Sequence, residues 1–129
     1  MSLPNGAGNS LRAVPEKKNL LALPVGVRPE GDEFFETLLH GNGLRLERII
    51  SRGQISPEGF WYDQAEDEWV LVLEGEAEIA RADGSVIRLF RGDSLFLPKG
   101  MKHRVAYTSD PCVWLALHGN LAGTAPGPR

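Results

Sequence analysis

At 129 residues, 42% of them apolar, the chain is long enough for one domain with a modest single core. Fourteen basic and seventeen acidic side chains leave a formal net charge of −3 with no basic stripe, which argues against a nucleic-acid partner. Cys112 is the only cysteine, so an intrachain disulfide and a thiolate zinc site are both excluded. With no run apolar enough to span a bilayer and no signal-peptide pattern at the start, no membrane partner is expected and the expected setting is the cytoplasm.

In chain order, residues 1–18 mix Pro, Gly, Asn, Ser and Lys without periodicity and are expected to form a flexible arm. Residues 19–118 carry the domain, and 119–129 form an equally loose tail. "NLLALP" reads as a short strand ended by Pro24. "GDEFFETLL" fits one or two helical turns capped by Asp32, or a strand. After the turn "GNG" come seven short strand candidates: "LRLERIIS", "EWVLVLEG", "EAEIARA", "SVIRLF", "DSLFLP", "HRVAYT" and "CVWLALH". Asp83-Gly84 between two of them is a hairpin signal. Many short, regularly punctuated strands without a long periodic helix predict an all-β sandwich or barrel.

Strand parity assigns faces. In "EWVLVL", Glu68, Val70 and Val72 share one side, and Trp69, Leu71 and Leu73 the other. Both sides are apolar, so both are covered. One cover is the barrel interior; the other is a second layer, the N-terminal strand or another copy, and the last of these predicts a homodimer. Arg48 has the parity of Leu44, Leu46 and Ile50, which points it inward toward Glu68 or a ligand carboxylate. Glu66 and Asp67 read as a solvated turn.

The clearest spacing is in "GDSLFLPKGMKH": Gly92, five residues, Pro98-Lys99-Gly100, two residues, His103. Pro98 ends a strand, Gly100 supplies the tight-turn angles, and His103 starts the returning strand. This resembles the second motif of the cupin superfamily, with Tyr107 at the position usually held by Asn. Glu68, six residues and Gly75 are similar to the end of the first cupin motif. Its His-x-His pair is missing; the aromatic and acidic "FWYDQ" stands there instead. The likeness spans roughly residues 44 to 118.

The resemblance implies a double-stranded β-helix, or jelly roll, binding a small carboxylate or carbonyl compound in its barrel. It implies Glu68 and His103 as acid–base groups, and Arg48, Trp61, Tyr62 and Tyr107 against the ligand. The cofactor it implies is a divalent ion (Mn, Fe, Ni or Zn) held by Asp63, Gln64, Glu68 and His103, an oxygen-rich set. Two functions fit: a metal-assisted isomerase or lyase, and a non-catalytic binding or sensor module without metal, in which Glu68 hydrogen-bonds to Tyr62, Arg48 or His103. His118 reads as structural, on the face of Trp114 and Ala116, though able to approach His103.

Overall fold

The structure is a computed structural model describing residues 15–24 and 31–122. Among the described residues it is all-β: β1 (Phe34–Gly41), β2 (Leu44–Ser51), β3 (Asp67–Glu74), β4 (Ala77–Arg81), β5 (Val86–Leu89), β6 (Ser94–Leu97), β7 (His103–Thr108) and β8 (Cys112–Gly119). "GDEFFETLL" is therefore strand. Among the described residues, no helix is long and apolar enough to cross a membrane.

The strands form two antiparallel sheets, β1-β2-β8-β3-β6 and β5-β4-β7, the jelly-roll arrangement expected from the sequence. The β1–β2 hairpin turns at Asn42 (φ 52°) and Gly43 (φ 77°), and Gly84 (φ 90°) turns β4 into β5. Gly100 (φ 78°) follows Pro98 in the link from β6 to β7, and the Met101 N–H donates to the Pro98 carbonyl at 3.1 Å. Gly75 has φ 86°, and a Cβ there would sit 2.5 Å from the Pro111 carbonyl oxygen. Any side chain would therefore wedge β3 away from the start of β8.

Polarity changes along the barrel axis. In β3, Glu68, Val70 and Val72 face inward as parity requires, and β8 places His118, Ala116 and Trp114 directly opposite them. The end holding Val72, Ala77, Ile79, Leu89, Cys112 and Trp114 is closed by a buried apolar core. Cys112 is fully buried there, and burial pushes its thiol up to about 12, so it is no nucleophile. The opposite end carries the polar ends of the same strands.

Three readings are corrected. Residues 19–22 form a turn, with the Ala22 N–H donating to the Asn19 carbonyl at 3.1 Å, because the carbonyls of Leu20 and Ala22 are taken by Arg48. Arg48 lies on the outer face of β2, not in the barrel. It is 1% exposed and donates twice to Glu36 (2.9 and 2.6 Å) and once each to those carbonyls (3.0 Å). Asp67 is buried rather than solvated. It accepts from the backbone N–H groups of Lys99 (2.8 Å) and Leu121 (2.9 Å), which hold its carboxyl below the ordinary range. Most of the expected arm and tail, residues 1–14 and 123–129, lies outside the described residues.

Arg48 thus staples residues 20–22 across the sheet. Arg48→Ala strands the Glu36 carboxylate and two carbonyls, and it is expected to cost roughly 3 kcal/mol of stability in urea denaturation. An unchanged midpoint would show that the staple carries no load.

Candidate functional site

Across the polar end, register sets three polar side chains in a row on adjacent strands: Arg45 of β2, His118 of β8 and Glu68 of β3. Glu47 lies two residues along from Arg45 on the same face. The second sheet supplies His103, the first residue of β7. A 15-residue loop, residues 52–66, completes the mouth by running along the free edge of β7. Its anchors are Gly53 N–H to the Ser109 carbonyl (3.1 Å), Ser56 N–H to the Val105 carbonyl (2.9 Å), and Thr108 Oγ1 to the Gln54 carbonyl (2.6 Å). Tyr62 and His103 then exchange backbone hydrogen bonds of 2.7 and 3.2 Å. That pairing stacks the Tyr62 ring on the His103 imidazole, centroids 5.4 Å apart and planes at 22°.

These groups surround a cavity of about 270 Å³. Glu33, Glu47 and Glu68 line it with Arg45, His103 and His118; Tyr62 and Gln64 reach in from the loop; Ile79, Leu97 and Trp114 form apolar wall. Glu68 is its most unusual member. The residue is 8% exposed, yet among the described residues no hydrogen bond reaches its carboxyl, which opens on the cavity. Its nearest polar neighbours are His103 Nε2, 3.9 Å from Oε1, and His118 Nε2, 3.8 Å from Oε2. Burial raises its pKa above the ordinary 4.5, against the opposing pull of His118 and His103.

Hydrogen bonding assigns the two imidazoles different jobs. His103 Nδ1 lies 3.0 Å from the Met101 carbonyl, which can only accept, so Nδ1 carries the hydrogen. In the neutral ring, Nε2 then turns a lone pair toward Glu68. His118 Nε2 lies 3.1 Å from Glu47 Oε1, so this nitrogen carries a hydrogen and donates it. Glu68 therefore sits between one ring that can take a proton and one whose Nε2–H is already given to Glu47. Burial also raises Tyr62 above 10.0, aided by the charges of Glu33 and Glu68, which keeps the phenol a neutral donor at physiological pH.

Not every residue marked in the sequence reaches the cavity. Glu68, His103, Tyr62 and Gln64 do. Arg48 is on the far side of its strand. Asp63 is exposed. Trp61 is 38% exposed and lies under the Arg104 guanidinium, 6.0 Å from ring centre to Cζ. Tyr107 is 43% exposed beside Glu78 on the outside of β7. Arg45, Glu47, Glu33 and the active placement of His118 were missed. For His118 the signal existed: the parity of Trp114 and Ala116 already carried it indoors.

The chain matches the cupin domain family model over residues 49–118. It belongs to the cupin family. No curated protein matches it in sequence. Among solved structures, this cupin is similar to a protein of Ralstonia eutropha JMP134, provisionally named a mannose-6-phosphate isomerase, at 47% identity. The likeness covers 83% of this chain and 100% of that one, with a TM-score of 0.74. A cupin superfamily protein of Desulfitobacterium hafniense DCB-2 shares 20% identity over 83% of this chain and 94% of its own, with a TM-score of 0.64. KdgF from Halomonas sp. shares 19% over 72% and 84%, with a TM-score of 0.60. At those lower identities the likeness concerns the fold alone.

Cupins often bind a divalent metal. Here His103 has the fixed ring and inward lone pair of a metal ligand, and Glu68 offers oxygen. His118 Nε2 is occupied by its bond to Glu47, and Asp63 lies outside. Among the described residues no three His, Cys, Asp or Glu side chains close on one point. The donor set as arranged does not fit a firm metal centre, and no chemistry below is routed through one.

The raised Glu68 makes stability depend on pH. A carboxyl whose folded value lies above its unfolded one stabilises fully below about 4.5, and this contribution is lost as pH rises through the folded value. Glu68→Gln is therefore expected to be more stable than the parent at pH 7, with the gap narrowing as pH falls toward 4.5 in parallel denaturant titrations. A variant less stable at pH 7 would mean the carboxylate is well solvated or paired.

Proposed function

We propose that this cupin is an enzyme that moves a proton on a small carbonyl compound held in its barrel, an isomerase of the aldose–ketose kind. The carrying observation is Glu68: a buried carboxyl without a hydrogen-bond partner, flanked by two imidazole nitrogens of opposite role. The 47% identity to a protein provisionally named for such an isomerisation supports the reading.

In the proposed reaction, ionised Glu68 takes the proton from the carbon next to the carbonyl. The electron pair moves toward the carbonyl oxygen, which receives a hydrogen bond from the Tyr62 hydroxyl. His103 Nε2 takes the hydroxyl proton of the neighbouring carbon and delivers it to that oxygen, and Glu68 returns its own proton to the former carbonyl carbon, so both groups end as they began. The raised Glu68 value suits this work, because a carboxylate that holds its proton more tightly is the stronger base.

The test is solvent hydrogen exchange: mannose, fructose and their 6-phosphates incubated in D₂O, with deuterium at C1 and C2 read by NMR. The parent is expected to exchange at least one of them, and Glu68→Gln to be roughly 10²–10⁴-fold slower. Binding without exchange would make the barrel a non-catalytic receptor.

The homodimer expected from the sequence is also retained as a proposal. Trp69, Leu71 and Leu73 are only half-buried in the single chain, and a second copy would cover them. Light scattering at micromolar concentration is expected to give twice the chain mass; the mass of one chain would contradict it.

A further inference from the structure

We infer that the ligand of this cavity is an uncharged, hydroxyl-rich carbonyl compound, such as an unphosphorylated sugar, and not a phosphate ester. The inference rests on the proposed isomerase reading and narrows its substrate class. It runs against the substrate in the provisional name of the Ralstonia eutropha relative.

The first ground is charge. Three carboxylates, Glu33, Glu47 and Glu68, line the cavity, and among the described residues Arg45 is the only lining side chain with a permanent positive charge. Arg45 is already committed, 3.5 Å from Glu47 and 3.9 Å from Glu66. A phosphate needs guanidinium or ammonium groups, or a cluster of backbone N–H groups, aimed at its oxygens. Placed here it would instead meet carboxylates.

The second ground is the mixture of donors and acceptors. Tyr62 presents a hydroxyl. Glu68 and His103 Nε2 present acceptor positions, and Gln64 presents both kinds. An alcohol is the simple group that donates and accepts at once, so a ring of hydroxyls can satisfy such an alternating lining. Tyr62, Phe35 and Trp114 add aromatic surface against which the carbon faces of a sugar can lie. Nor does the lining call for an organic cation. Glu47 already accepts from His118 and lies 3.5 Å from Arg45, and Glu33 accepts from the Ser51 hydroxyl. The cavity of about 270 Å³ lies just below the usual range of ligand sites, roughly 300–1,000 Å³, and so suits a small ligand.

The test uses three probes on one skeleton: mannose, mannose 6-phosphate and mannosamine. Their binding to the full chain is measured by calorimetry, with and without EDTA. Mannose is expected to bind, and mannose 6-phosphate to bind roughly 100-fold more weakly. Glu47→Gln, which removes one carboxylate and loosens Arg45, is expected to narrow that gap. Mannose 6-phosphate binding as well as mannose or better would overturn the inference. So would tighter binding of mannosamine, which would mark a cation site, or binding of none of the three. The two proposals fail separately. Mannose bound without hydrogen exchange defeats only the isomerase, and exchange confined to the phosphate ester defeats only this inference.

Discussion

A carboxyl group inside a protein ordinarily comes with a partner, because an unpaired charge in a low-dielectric interior is costly. Glu68 has a cavity instead, with one imidazole nitrogen almost 4 Å from each of its oxygens. That arrangement is held from all sides. Cross-strand register fixes His118 beside it. The Met101 carbonyl fixes the His103 ring, and the loop strapped along β7 lays Tyr62 against that ring. Where the wall polar groups are satisfied by one another, Glu68 is left for something that enters.

The gradient along the barrel explains how one small domain tolerates this. The same inward-facing rows that end in Glu68 and His118 continue into Val72, Trp114 and Cys112, which pack the closed end. The outer face of the larger sheet is tied down by Arg48 and residues 20–22. Stability is concentrated away from the mouth, so the mouth can keep an unfavourable charge as functional sites commonly do.

Much of this was legible in the chain. The spacing from Gly92 to His103 announced the turn and the returning strand, and the alternation in "EWVLVL" placed Glu68 indoors. What misled was β2. Its apolar residues, Leu44, Leu46 and Ile50, suggested the interior, and Arg48 was carried in with them. In fact the polar alternates Arg45 and Glu47 face the cavity, because this end of the barrel is wet and the outer face is covered. Hydrophobicity tells which side of a strand is buried only where a single side is. Asp67 was misread for a related reason: its two partners are backbone N–H groups 32 and 54 residues away, which no local pattern reveals. Trp61, with its neighbours, looked like a pocket wall, whereas only Tyr62 of the three aromatics turns inward.

The central claim is that Glu68 is a buried carboxyl poised between His103 and His118. The direct measurement is a ¹³C NMR titration of the Glu68 side-chain carboxyl, assigned by comparison with Glu68→Gln. A midpoint above 4.5, accompanied by shifts in both imidazoles over the same pH range, is the predicted result. A midpoint at or below 4.5, with the imidazoles indifferent, would contradict it.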